Sequence, residues 1–148
     1  MGRVVFSVRK QSPERLRAIE ARLGRETTIW LATVRQDGRP HLVPLWYVWL
    51  DGRIYLATGA YSQKFINMYH NQSVALSLSD GVNALIIEGE AHVANRATVD
   101  ALADYFYHKY EWDFRYDNST EWRLVEITPT KIMAWGDGYD EVEGTRIL

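Results

Sequence analysis

The sequence predicts a single mainly-β domain with peripheral helices, an antiparallel small barrel that closes incompletely. Three observations carry that expectation. Runs rich in β-branched and aromatic residues, among them TTIWLATV, RIYLAT and ALIIEGEAHV, are divided by short turn signals. Helical spacing is confined to three stretches, and the connections are short, as antiparallel neighbours allow. At 148 residues and 47% hydrophobic, the chain has material for one core and too little for two.

Taken in order, the first element is a helix over about residues 12–24. Ser12 is placed to cap it, Pro13 suits its first position, Leu16, Ile19 and Leu23 recur at helical spacing, and Gly24 is a natural stop. Arg15, Arg17, Glu20 and Arg22 fall on its other face, which reads as solvated. TTIWLATV, HLVPLWYVWL and RIYLAT then read as three strands of a meander. Asp37-Gly38 and Asp51-Gly52 join them as tight hairpins, because glycine supplies the positive φ such turns require. Pro44 interrupts the second strand and belongs at an edge or bulge, where backbone groups are left free for a ligand.

The stretch LATGAYSQKFINMYHN, residues 56–71, joins a strand to a short helix and is the strongest candidate site. Gly59 frees the backbone to turn, Ser62 caps the helix that starts at Gln63, and Lys64 places an ammonium in the first turn. First turns favour Asp or Glu, so a lysine there, beside unpaired amides, fits a bound phosphate. The same pattern also occurs in loops that bind nothing, and the local sequence leaves both readings open.

SVALSLS and ALIIEGEAHV are two further strands, the first with alternating burial, the second with Gly89 marking a bulge or a close backbone approach. Residues 97–110 are helical in pattern, with Val99, Leu102, Phe106 and Tyr110 on one face. EWDFRYDNST is a polar loop carrying Trp112, Phe114 and Tyr116, to be covered by its own domain, a second subunit or a ligand. WRLVEIT is a last strand, broken at Pro129, and residues from about 140 to 148 read as a loose tail. Residues 1–148 thus form one domain.

A formal net charge of −2, from 17 basic and 19 acidic side chains, excludes long-range attraction to nucleic acid or an anionic membrane. The absence of cysteine excludes disulfides, thiolate nucleophiles and Cys-based metal sites, and suits a cytoplasmic location. No apolar run is long enough for a signal peptide core or a membrane span. His41, His70, His92 and His108 lack metal-ligand spacing, so no metal is expected. The 13% aromatic content, with six Trp and nine Tyr, supplies either pocket walls or core and interface area.

Four segments, LATVRQDGRPHLVPLWY, IYLATGAYSQKFINMYHN, the paired VALSLS and LIIEGEAHV, and ITPTKIMAW, resemble in order and spacing the flavin-binding split barrels related to pyridoxamine 5′-phosphate oxidase. That superfamily also includes deazaflavin F420-dependent reductases and haem-utilisation proteins. The resemblance runs from about Trp30 to Trp135. It implies an antiparallel, Greek-key-like split β-barrel and a homodimer, with FMN, or alternatively F420, at the subunit interface and a small organic substrate. It further implies that the cofactor ring lies along Val43, Pro44, Leu45 and Trp46, and that its phosphate sits at Ser62, Gln63 and Lys64. Thr58 and Asn67 would complete the near wall. Trp112, Arg115 and Trp135 are candidates for the outer wall. The arginine-rich phosphate strand and the C-terminal substrate arginine and histidine of the vitamin B6 oxidase have no counterpart, so oxidation of pyridoxamine phosphate is not implied. A non-catalytic flavin or haem binder is the rival expectation.

Overall fold

The chain, seen in a computed structural model, is described for residues 13–136 and for the backbone of residues 145–146. Its strands are β1 (Ile29–Val34), β2 (Pro40–Leu45), β3 (Val48–Leu50), β4 (Arg53–Gly59), β5 (Ser73–Leu78), β6 (Ala84–Val93), β7 (Trp122–Trp135) and β8 (Thr145–Arg146). The helices are α1 (Pro13–Arg25), α2 (Gln63–His70) and α3 (Arg96–Tyr110), with one 3-10 turn at Phe114–Tyr116. All pairings are antiparallel, in the order β2-β1-β5-β6-β7-β4-β3, with β8 on β7.

The two ends of that order, β2 and β3, are neighbours in the chain, separated only by Trp46 and Tyr47. A sheet whose end strands are joined by two residues has to curl on itself. It does not zip shut, because β3 pairs only with Arg53–Tyr55 of β4, while β2 pairs with β1. The rest of β4 faces β7 alone. The result is a split barrel, as expected, open between the outer edge of β2 and the far half of β4.

The hairpins form as the turn chemistry requires. Asp51 and Gly52 both take positive φ, 51° and 78°, the two-residue turn that matches strand twist. Gly38, at φ 91°, closes the β1–β2 turn, which the Asp37 carboxylate holds by accepting from the Arg39 amide and guanidinium. Gly89 fills both expected roles. The register shifts beside it, and a Cβ there would lie 2.6 Å from Thr128 O.

Several expectations are overturned. The strand read as HLVPLWYVWL is two strands, and the break lies at Trp46-Tyr47 rather than Pro44, which pairs with Trp30 on the edge strand β2. An edge strand tolerates a proline because its outward N–H has no ladder partner to lose. β7 runs unbroken through Pro129, because the register shift lets Glu88 pair with Lys131 and Gly89 with Pro129, skipping Thr130. On α1, Arg15 and Arg22 are buried, 8% and 6% exposed, and Leu16 is exposed. Arg22 donates to Asn83 O and lies 3.7 Å from Glu26, and Arg15 donates to Ala134 O, so α1 plugs one barrel end with hydrogen-bonded guanidiniums as well as Ile19 and Leu23. α1 also continues one residue past Gly24. The proposed Ser12 cap lies outside the described residues, as does residues 140–144 and 147–148 of the expected loose tail. Residues 145–146 pair with Met133 and Ala134.

Two apolar clusters result. Inside the barrel lie Ile29, Leu31, Leu56, Leu76, Leu85, Ile87 and Ile127, all at most 2% exposed, sealed by Met68 and Phe65 of α2. Outside β4 and β7, α3 packs Leu102, Ala103 and Phe106 on Val48, Tyr55, Leu124 and Phe114.

Candidate functional site

The β4–α2 turn is built by pinning rather than by an unusual backbone. Gly59 does not take positive φ; a Cβ there would meet the Thr120 side chain tightly, 3.3 Å from its Cγ2. The Ala60 amide donates to Glu121 O at 2.7 Å, and the Tyr61 hydroxyl donates to the Glu121 carboxylate at 2.9 Å, tying the turn to the start of β7. Ser62 is the cap foreseen: its Oγ accepts from the Phe65 amide and donates to Gly59 O. The amides of Gln63 and Lys64 belong to the first turn, where no intrahelical acceptor exists.

A cleft of about 410 Å³ opens beside this turn, in the split of the barrel. It is lined by Leu45, Trp46, Ala57 of β4, Trp112 and Trp122, with Lys64 and Asp117 as its charged residues. That volume is in the range of small-molecule sites. Trp46 is held by Tyr110 at the end of α3, ring on ring with centroids 4.5 Å apart and planes 7° from parallel. The Tyr110 hydroxyl accepts from the Tyr47 amide at 3.0 Å and donates towards Tyr47 O at 2.7 Å and Thr27 O at 3.0 Å. One side chain therefore satisfies the backbone exposed where β2 crosses to β3. Trp112 meets Trp46 and Trp122 edge to face, at 5.8 and 4.9 Å.

Lys64 has no acidic partner among the described residues, and partial burial pushes its ammonium below its ordinary range. Asp117 is the reverse case. Its carboxylate accepts from the Ser119 hydroxyl and amide and from Trp112 Nε1, and these hold its pKa down to about 2. Trp122 Nε1 lies near that carboxylate without closing a hydrogen bond. Larger grooves run across β1, β5 and β6 (about 490 Å³) and along the 3-10 turn (about 790 Å³). The second shares Asp117 and Trp122 with the small cleft, and most of its other charges are paired, Arg115 with Asp113 and Asp100, Arg123 with Glu121. In the first, the Glu88 carboxylate is met by Lys131. The smaller, aromatic cleft is set apart by Lys64, a cation without an acidic partner among the described residues.

The sequence profile of the pyridoxamine 5′-phosphate oxidase family matches residues 16–136, most of the chain. The chain belongs to that family. No curated protein matches it in sequence. Among solved structures it is similar to a conserved hypothetical protein from Mycobacterium tuberculosis, with 26% identity, 86% of this chain and 90% of the other covered, and a TM-score of 0.72. It is similar also to an F420 reductase (24% identity, 76% and 94% covered, TM-score 0.64). A heme storage protein from Vibrio cholerae shares the fold at 17% identity (83% and 95% covered, TM-score 0.67).

Within this family member, Leu45, Trp46 and Lys64 line the cleft together. Val43 and Pro44 precede them on the free edge of β2. Thr58 is fully buried, its hydroxyl 3.4 Å from Arg123 O, and does not line the cleft. Asn67 is also buried: it docks α2 on β1 by donating to Thr33 Oγ1 at 2.9 Å, and it accepts from Gln63 Nε2 within the helix at 2.7 Å. Of the outer-wall candidates, Trp112 lines the cleft, Arg115 is turned to Asp113, and Trp135 pairs with Ala84 in the sheet. Phe114 is buried under α3 and Tyr116 is exposed, so the domain itself covers two of the three loop aromatics. Asp117 and Trp122 were missed; the Asp-Asn-Ser turn after an aromatic run was the signal for the first. No metal-binding cluster occurs among the described residues, and no described helix is long and apolar enough to cross a membrane.

Proposed function

We propose that this protein is an FMN-dependent oxidoreductase acting on a small organic substrate, working as a homodimer with the cofactor at the subunit boundary. F420 is the alternative cofactor. The observation that carries the reading is Lys64: a half-buried ammonium at a helix start, without an acidic partner among the described residues, in a tryptophan-lined cleft. Its charge suits the cofactor phosphate, with Ser62 and Gln63 supplying the turn. The free edge of β2 at Val43, Pro44 and Leu45, with Trp46 just beyond it, offers backbone groups to the polar rim of a planar ring. Thr58 and Asn67 support that seat from beneath by fixing β4 and α2. A bound flavin supplies the hydride or electron chemistry itself. The protein's part is to orient it against Trp46 and to exclude water with the tryptophan walls.

Charge pairing favours FMN over F420, whose acidic tail needs basic neighbours. Of the four basic candidates, Arg39, Arg53 and Arg123 are paired with Asp37, Glu126 and Glu121, and Arg35, in no ion pair among the described residues, donates to Pro40 O. The structural similarity to an F420 reductase keeps F420 as the rival. No histidine lines the cleft, which speaks against haem. Trp30 and Leu42, exposed side by side on the outer face of β1 and β2, suit a second subunit.

Equilibrium titration of the cofactor-free protein with FMN and F420 in parallel, with the mass of the free and loaded species, tests this. Tight FMN binding by a dimer is expected, weakened about 10- to 100-fold in Lys64→Ala through loss of a charge-assisted contact, with little change in stability. Multiple turnovers with NAD(P)H and an electron acceptor would separate an enzyme from a passive carrier. Binding of neither cofactor would sink the proposal.

A further inference from the structure

Three basic side chains from three elements converge where α2 docks on β1. His41, Val43 and Leu45 share the half-buried face of β2, and Leu45 lines the cleft with Lys64. His41 is therefore on the cleft face of that strand, beyond the lining residues, and stands opposite Thr33 in the β1–β2 register. Thr33 accepts from Asn67, which follows Lys64 by three residues on the same face of α2, so the docking of the helix brings Lys64 to the His41 end of β2. Arg35 arrives from the β1–β2 turn: its guanidinium donates at 2.8 Å to Pro40 O, the carbonyl joined to the His41 amide. Asp37, in the same turn, is held by Arg39 at 2.8 Å. Among the described residues none of Arg35, His41 and Lys64 is ion-paired.

His41 shows what this cluster lacks. Its Nδ1 is shut off from solvent and has no hydrogen-bond partner among the described residues. The charges that bear on its ring, Arg35 and Lys64, are both positive. Burial first, and then those two cations, push its pKa below the ordinary value, so the ring is uncharged at neutral pH. A covered nitrogen without a partner, next to two unneutralised cations, is a position short of an anion. An anion seated there reverses the repulsion, and the ring then holds a proton that the empty site does not. The count of charges points to the kind of anion. Arg35, Lys64 and a protonated His41 suit the two negative charges that a phosphate monoester carries above its second pKa of about 6, better than the single charge of a phosphodiester.

We propose that Arg35 and His41 complete the phosphate seat begun by Lys64, that His41 gains a proton as the phosphate binds, and that the seat selects a terminal phosphate monoester. The inference rests on the flavin reading above for the phosphate at Lys64, and it adds two ligands and a proton to that reading. FMN ends in such a monoester. F420, which continues past its phosphate, presents a diester and is disfavoured there.

Calorimetry of FMN binding to the full chain near neutral pH, repeated in buffers of different ionisation enthalpy, reads the proton directly. Uptake of about 0.3 to 1 proton per FMN is expected, from a ring neutral in the free protein and charged in the complex. Methyl phosphate and dimethyl phosphate probe the seat without a flavin, followed by the His41 ring signals in NMR, which are assigned by their loss in His41→Gln. Methyl phosphate should raise the midpoint of the His41 titration by about one pH unit, and dimethyl phosphate by much less. His41→Gln keeps hydrogen-bonding capacity and removes the charge. It should abolish the proton uptake and weaken FMN about 10-fold, while riboflavin, which has no phosphate, stays within about threefold. FMN binding to the unaltered protein without proton uptake overturns the proposal and leaves the flavin reading standing. Uptake that persists in folded His41→Gln overturns it too, as does an equal response to the two methyl esters. A His41 response to methyl phosphate in a protein that binds neither FMN nor riboflavin would retain the seat and reject the flavin.

Discussion

The two apolar clusters of this domain are built from different residues and do different work. Inside the barrel the filling is mostly aliphatic, Ile29, Leu31, Leu56, Leu76, Leu85, Ile87 and Ile127, packed without reach to solvent. Under α3, Val48, Leu102, Ala103 and Leu124 pack with an aromatic set, Phe106, Phe114, Tyr110, Trp112 and Trp122, linked largely by edge-to-face contacts. Aliphatic side chains contribute area and nothing else, so they suit a closed interior. Aromatic side chains contribute area together with a flat face and, in Tyr and Trp, a polar handle. Tyr110 uses its hydroxyl to seal the β2–β3 crossover and its face to hold Trp46; Trp112 uses its N–H to fix Asp117. The comparison teaches that the interior makes the barrel, while the aromatic layer is at once outer packing and cleft wall.

The largest effect should come from the interior. Leu31→Ala or Ile127→Ala removes a fully buried side chain and should cost about 2–5 kcal/mol by denaturant unfolding, with FMN affinity of the folded fraction unchanged. A loss of affinity without loss of stability would erase the division of labour. Gly89→Ala drives a Cβ to 2.6 Å from Thr128 O at the bulge and should cost about 1–3 kcal/mol; a neutral result would mean the β6–β7 register is softer than drawn. In the aromatic layer, Tyr110→Phe keeps the stack on Trp46 but leaves the Tyr47 amide without its acceptor, a loss of about 1–3 kcal/mol. If stability stays level and cofactor affinity falls instead, the hydroxyl serves the cleft and not the crossover.

The smallest effect concerns pH. Lys109, next to Tyr110, sits with its ammonium 4.1 Å from the centre of the Tyr47 ring and has no hydrogen-bond partner. Burial brings its pKa down from 10.5 to about 8. The unfolded chain therefore holds that proton to higher pH than the folded one, and stability should rise between about pH 8 and 10.5 from this residue. Lys109→Met should flatten that rise in thermal melts taken across the interval. An unchanged slope would show the ammonium to be solvated.

Local features were legible to the extent that local physics decides them. Both Asp-Gly hairpins, the Ser62 cap, the alternation of Val74, Leu76 and Leu78, the Gly89 bulge and the apolar face of α3 all follow from turn geometry and residue periodicity. Lys64 could be singled out because a cation in a first helical turn is out of place whatever surrounds it. Pro44 and Pro129 misled in opposite ways. A proline forbids a ladder bond, but whether the sheet needs that bond depends on which strand lies alongside.

Short windows of the sequence carry the three helices and most of the strands, the turns between most of them, the resemblance to the split-barrel family and one charged residue of the cleft. These are properties of short windows, where covalent geometry and periodic burial act over a few residues. Contacts between distant segments set the rest: β2 and β3 stand at opposite ends of one sheet, Arg15 and Arg22 are buried in hydrogen bonds, Asn67 donates to Thr33 and accepts from Gln63, and Asp117 shares a cleft with Lys64. Each depends on which distant backbone happens to supply a carbonyl, a hydroxyl or a wall. Solvation and pairing of a charge are set by neighbours in space, and a one-dimensional pattern does not name them.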